Sequence, residues 1–165
     1  MTDAPPPLRP EELTAAAFAP FGAVIEADPA TARPINGGLT TRFHALARAE
    51  PGPGGAAILS IFRSHARTPG PVALVTLERH PDGSQAFMPL GGAEDWLVVV
   101  AERPESAALR AFRARADQGV QYAPGVWHHA LLTTGPARDF LVVDREGPGA
   151  NLEEVALDPP RLLPP

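Results

Sequence analysis

From residue 56 onward the apolar residues come in short runs separated by glycine, proline and charged residues. The runs are "AAILSIFRSH", "PVALVTLERH", "SQAFMPL", "DWLVVVAE", "GVQYAP", "VWHHALLTT" and "DFLVVDRE". Each is of strand length and rich in Val, Leu, Ile and Phe, which predicts a series of short β-strands. The regular turn signals between them predict an all-β sandwich or barrel. The stretch "SAALRAFRAR" fits a helical turn or a strand equally. Upstream, "RPEELTAAAF" predicts a short N-terminal helix. Pro10 suits its first position, Glu11 and Glu12 complement the dipole, and Pro20 and Gly22 end it. Asn36-Gly37-Gly38 and "EPGPGG" mark turns. The proline-rich leader and the tail "DPPRLLPP" predict no regular structure. The expectation is one domain over 1–165, with 1–8 and 158–165 as flexible ends.

Composition narrows the classes. The chain has 165 residues, enough for one domain with a sizeable core. The net charge of −5 lacks the basic footprint of a nucleic-acid binder. All 14 basic residues are arginines, so Schiff-base lysine chemistry is excluded. With no cysteine there is no disulfide, thiolate metal site or thiol nucleophile. The N-terminus lacks the basic and apolar blocks of a secretory signal. The apolar run "WLVVVA" is too short to cross a bilayer as a helix. Together these lead to the expectation of a cytoplasmic protein. The 21 prolines and 15 glycines lie between the strand-like runs and at the ends, as turn punctuation.

Two stretches carry candidate chemistry. In "TLERHPDGSQAF", strand alternation puts Glu78 and His80 on one face with Val72, Leu74 and Thr76, while Arg79 points away. After the Pro81-Asp82-Gly83 turn, Gln85 begins the next strand and can converge on them. In "YAPGVWHHALL" the paired histidines must face opposite ways if the strand is regular. His128 then shares a face with Val126, Ala130 and Leu132, and His129 with Trp127 and Leu131.

Pro124-Gly125-x-x-His128 resembles the second signature of cupin barrels, whose turn delivers a histidine into the barrel mouth. The first cupin signature is His-x-His, four residues, Glu, then a glycine about six further on. Here it reads Glu78-x-His80, four residues, Gln85, then Gly91, so one histidine is kept and two ligands are changed. The resemblance implies a cupin-type double-stranded β-helix barrel. More narrowly, "LERHPDGSQAFMPLGG", "QGVQYAPGVWHHALL", "DFLVVDREG" and "INGGLTTRFHALA" resemble the ureidoglycolate lyase family. The likeness runs from about Phe18 to about Glu154. Ala130 departs from the family pattern, where proline is expected, as does the short stretch after Arg145.

That resemblance implies cleavage of (S)-ureidoglycolate into glyoxylate and urea in allantoin breakdown, by a homodimer. It needs groups that exchange protons near neutral pH and a cation for the carboxylate. His128, Glu78 and His80 are the catalytic candidates. The same three are the metal candidates, for a divalent ion that the resemblance implies is nickel; an N- and O-only donor set also fits manganese or zinc. Gln85 is a poor metal ligand and is expected to hydrogen-bond the urea portion. Arg63, inside an apolar run, is the first choice for the carboxylate, ahead of Arg79, Arg42 and Arg145. His129 is expected to be structural, and Asp144-Arg145 to be an ion pair, with a position at the barrel mouth as the alternative. "WLVVVAE" and residues 18–25 are the expected contributors to a dimer interface. The competing readings are a non-catalytic cupin that binds or senses a small acid, and another metal-dependent cupin enzyme.

Overall fold

A computed structural model describes residues 6–165. The chain begins with β1 (Glu11–Glu12), a one-turn helix α1 (Ala15–Phe18) and β2 (Gly22–Ile25). A hairpin of β3 (Ala32–Ile35) and β4 (Thr40–Phe43) follows. Then come β5 (Ala56–Ser64), β6 (Val72–Arg79), β7 (Gln85–Pro89), β8 (Trp96–Ala101) and β9 (Leu109–Ala114). The chain ends with β10 (Gly119–Tyr122), β11 (Trp127–His128), β12 (Arg138–Glu146) and β13 (Glu153–Leu163). A six-stranded sheet has the order β1-β9-β8-β11-β6-β13, and a five-stranded sheet the order β2-β10-β7-β12-β5. The two form the expected all-β, cupin-type barrel. No helix among the described residues is long and apolar enough to cross a membrane.

The inward face of each strand follows from alternation. Phe87 of β7, Val98 and Val100 of β8, Phe112 of β9, Val120 and Tyr122 of β10, and Phe140 and Val142 of β12 bury one core, which Phe18 and Phe21 also join. On the other face of the six-stranded sheet, Val99, Ala101 and Ala111 form a second cluster with Leu8, Leu77, Leu157 and Leu163. That is why "WLVVVA" is apolar without alternation: β8 is buried on both faces. It therefore belongs to the core and offers no partner surface. Phe18, Phe21 and Val24 are likewise buried, whereas Ala19 and Pro20 between them are exposed.

The ends differ from the sequence expectation. Glu11 and Glu12 do not open a helix; they pair in parallel with Phe112 and Arg113 of β9. Arg110 holds Glu11 at 2.8 Å. The helix starts only after Thr14, whose hydroxyl accepts from the Ala17 N–H at 3.2 Å. A one-turn helix gains little by itself, whereas pairing with an edge strand satisfies backbone groups and adds the ion pair. The tail also contradicts expectation. Residues 158–163 continue β13, which pairs with β6 on both sides of a register shift between Ala156 and Arg161. Arg161 donates to the Pro6 and Ser106 carbonyls, and the Leu8 N–H donates to the Leu162 carbonyl. As an edge strand, β13 tolerates Pro159 and Pro160, which lack N–H donors. Leu8 is buried rather than loose, while residues 1–5 lie outside the described residues. "SAALRAFRAR" resolves into a 3-10 turn at Ser106–Ala108 followed by β9.

Candidate active site

The Pro124-Gly125 turn sets the site. Gly125 has φ 79°, a left-handed conformation that side chains disfavour. Its N–H donates to the His80 carbonyl at 2.8 Å, so the turn is tied to the end of β6. Two residues on, β11 pairs His128 directly with Glu78 of β6. Cross-strand partners point to the same face, and His128 Nε2 lies 3.4 Å from Glu78 Oε1. His80 follows just past β6, with its ring centroid 5.3 Å from that of His128. One ligand-type atom from each of Glu78, His80 and His128 lies within 4.8 Å of the others. The structure thus brings together the three residues chosen from the sequence.

Each imidazole is fixed from behind. His128 Nδ1 meets the Val126 carbonyl at 2.9 Å, and His80 Nδ1 meets the Asn151 carbonyl at 2.7 Å. A carbonyl only accepts, so Nδ1 carries the proton and Nε2 keeps its lone pair. Both Nε2 atoms are buried without a hydrogen-bond partner. The His128 ring stacks on Tyr122, centroids 4.2 Å apart and planes 14° apart. The His128 imidazole beside it holds the Glu78 carboxyl below its ordinary pKa, against the opposing effect of burial. Burial pushes the Tyr122 phenol well up, so it stays protonated.

Gln85 of β7 lies opposite Tyr122 of β10 and is buried on the same inward side. Its Oε1 has no partner, nor does Asp144 Oδ1 on β12. Burial raises the Asp144 pKa, while the Gln85 amide and the nearby His80 act the other way. Asp144 is therefore not the ion-pair partner expected from sequence. Arg145 donates instead to the carbonyls of Pro51, Pro53 and Pro148, bracing the loops at this end. Alternation in "DFLVVDRE" carried the missed signal: Phe140, Val142 and Asp144 share one parity, and the first two are core.

Two expectations about faces change. Leu74 and Leu77 both belong to the outer cluster, so alternation along β6 slips between them. Glu78 and His80 therefore do not share a face with Val72 and Leu74; the slip lies where β13 changes register. Likewise β11 ends at His128. Beyond it Leu131 packs on the inner core and Leu132 on the outer one, the reverse of regular alternation. His129 turns away from the cluster: its N–H donates to the Val99 carbonyl and its Nδ1 meets the Ala130 carbonyl. Burial lowers its pKa.

Arg63 is not in the cluster. Its fork grips Asp139 at 2.7 and 2.9 Å on the outward side of β5 and β12. Arg79 is held by Glu153 and lies over Trp127, also outward. The charges acting on Glu78 and Asp144 come from histidines, with no arginine among them. An open cleft of about 520 Å³ leads to Glu78, walled by Phe62, Ser64, His65, Phe87, Ala130 and Leu131, and Arg63 also lines it.

Such a constellation can move protons between a carboxylate and two imidazoles in a place largely shielded from water. It equally fits a divalent cation, since two lone-pair-bearing Nε2 atoms and a carboxylate converge, each imidazole oriented by a carbonyl behind it. The family model for ureidoglycolate lyase matches residues 5–163. A ureidoglycolate lyase of Rhizobium etli (strain CIAT 652) is 54% identical over 156 residues, covering 92% of each chain. Ureidoglycolate lyase 1 of Rhizobium meliloti (strain 1021) is 53% identical, covering 93% of this chain and 91% of its own. A ureidoglycolate lyase of Burkholderia cepacia is 49% identical, covering 93% and 88%.

Proposed function

From the premise that the chain belongs to the ureidoglycolate lyase family, we propose that this end of the barrel splits ureidoglycolate into glyoxylate and urea. The reading makes the protein a cytoplasmic, homodimeric enzyme of allantoin and purine-nitrogen breakdown. The observation that carries the site assignment is the convergence of Glu78, His80 and His128, with both Nε2 atoms buried and unpartnered.

The substrate bears a hydroxyl, a carboxylate and a ureido group on one carbon. Cleavage removes the hydroxyl proton, forms the C=O bond, breaks the C–N bond and returns a proton to the departing nitrogen. No water or oxidant is consumed. His128 suits the proton-accepting role: Val126 fixes its tautomer, Tyr122 fixes its ring plane, and anionic Glu78 stabilises the imidazolium that forms. The His128 imidazolium can return that proton to the departing nitrogen, directly or by way of the nearby Nε2 of His80, whose ring Asn151 holds. Gln85 Oε1 can accept from the N–H groups of the ureido end. As the alternative use of the same atoms, Glu78 and the Nε2 atoms of His80 and His128 would hold a divalent ion, which we assign as nickel; its Lewis-acid polarisation of a bound oxygen would then replace proton transfer at those nitrogens.

The test is incubation with racemic ureidoglycolate, following glyoxylate and urea. Equimolar release, abolished in His128→Asn, is the expected result. Binding without release would replace the enzyme by a small-acid binder. Loss of activity with a chelator, restored best by Ni²⁺ among divalent ions, is expected of the metal assignment; undiminished activity in a metal-free preparation would remove it.

A further inference from the structure

One row of inward residues crosses the five-stranded sheet at the site, and it is polar where the row beneath it is apolar. β12 pairs with β7 so that Val142 lies opposite Phe87 and Val143 opposite Ala86. The next position sets Asp144 opposite Gln85. β7 in turn pairs with β10, with Gln85 opposite Tyr122 and Phe87 opposite Val120. Cross-strand partners share a face. The row therefore reads Asp144, Gln85, Tyr122, above a row of Val142, Phe87 and Val120 that is core. Tyr122 stacks on the His128 ring, and the charge of His80 acts on Asp144. The polar row thus adjoins the cluster of Glu78, His80 and His128. Phe87, directly beneath Gln85 on β7, also walls the cleft that leads to Glu78.

Gln85 and Asp144 turn acceptors to the site and no donor. Gln85 is only 6% exposed, and its amide is a hydrogen-bonding neighbour of the Asp144 carboxyl. A carboxylate only accepts, so the amide gives its N–H side to Asp144 and is left with Oε1. That Oε1 and Asp144 Oδ1 are both buried without a partner. Buried polar atoms are ordinarily hydrogen-bonded, and two acceptors side by side call for a ligand with at least two N–H donors. A carboxylate or keto oxygen brings only lone pairs and is turned away from this wall. The terminal –NH2 of a ureido group and the N–H beside it supply such donors in one plane.

We propose that Asp144 and Gln85 form a ureido-reading wall, in which Asp144 Oδ1 and Gln85 Oε1 accept from the ureido N–H groups of the substrate. The identity of the substrate rests on the lyase reading; the demand of the two oxygens for N–H donors does not. The wall sets the orientation of the bound molecule: the ureido end lies against β7 and β12, and the carboxylate points away from them. Asp144 is then a specificity-determining residue, touching the half of the substrate that leaves as urea. An analogue without the terminal N–H groups leaves both oxygens unanswered, and a site built on such bonds rejects it strongly.

The test compares two ligands that cannot be cleaved, by calorimetry. Ureidoacetate is ureidoglycolate without its hydroxyl, and N-acetylglycine carries a methyl where ureidoacetate has –NH2. The wild type should bind ureidoacetate roughly tenfold tighter or more. In Asp144→Leu that preference should shrink to about twofold, with N-acetylglycine binding unchanged and Tm not lowered, because an unanswered acceptor is removed. For ureidoglycolate itself, KM should rise roughly tenfold with kcat held within about threefold. Should Asp144→Leu fold poorly, Asp144→Asn replaces it: its oxygen answers the Gln85 N–H, its own N–H groups stand in place of Oδ1, and the preference should shrink as far. Equal or undetectable binding of the two ligands by the wild type would overturn the proposal, and so would a preference that survives in the variant. If the wild type still cleaves ureidoglycolate, either outcome removes the wall and leaves the lyase reading standing. A wild type that releases no glyoxylate, yet loses its ureidoacetate preference in Asp144→Leu, keeps the wall and ends the lyase reading.

Discussion

Strand β12 carries a charged residue at each end of its inward face, and the two are treated in opposite ways. At the start, Arg138 is buried with its guanidinium fully answered: it donates to the carbonyls of Gly91, Glu94 and Ala116 at 2.7 to 2.8 Å. At the far end, beyond Phe140 and Val142, Asp144 keeps an unpartnered buried oxygen, as does Gln85, and nearby His80 keeps an unpartnered ring nitrogen. Unanswered buried polar atoms cost roughly 1–3 kcal/mol apiece. Such a cost persists where something else supplies the missing partner. The first end is scaffold, and the second is where we place the reaction.

The comparison breaks most sharply at His128. His128→Asn should lower kcat/KM by about 10²- to 10⁴-fold, the range of a lost general base. Its fold should survive with a modest fall in Tm, because Tyr122 loses its stacking partner; single-turnover kinetics and calorimetry read the two effects. At the other end the balance reverses. Arg138→Leu strips three part-buried carbonyls of their donor and should destabilise the protein by about 2 kcal/mol, seen in urea unfolding. The folded fraction should keep kcat/KM near wild type; a large kinetic loss would mean that Arg138 is part of the site after all.

Smaller effects sharpen the contrast. Gln85→Leu removes an orphan acceptor rather than a satisfied bond. It should leave Tm little changed and raise KM roughly tenfold, as for one lost hydrogen bond. Equal losses in stability and KM would make Gln85 scaffold. The smallest effect is expected at Arg63. Its fork already holds Asp139 on an exposed outer face, where ion pairs contribute little. Arg63→Ala should change kcat/KM by no more than about threefold; a loss of 100-fold would restore it as the carboxylate grip.

Much of this was legible in the chain. Alternation and turn residues announced the strands, and the resemblance of Pro-Gly-x-x-His to the cupin signature singled out His128 over His129. Glu78 and His80 were readable as a pair because, two residues apart at a strand end, they share a side whatever happens upstream. The faces beyond those short spans were less legible. The slip between Leu74 and Leu77 and the reversal at Leu131 and Leu132 depend on how neighbouring strands pair, and nothing local marks them.

The amino-acid order by itself determined the all-β class and the turn positions, since each rests on interactions within a few residues, and the choice of His128 followed from the resemblance to the cupin signature. Tertiary structure alone decided the rest. It turned the proline-rich tail into β13, gave Arg63 to Asp139 and Arg145 to loop carbonyls, and left Asp144 facing the site. An arginine's partner is the nearest acceptor in space, and in this fold that acceptor can lie 76 positions away, as Asp139 does from Arg63. Side-chain chemistry is written locally, but whether a buried polar group is answered or left waiting is settled by strands that meet only when the barrel closes.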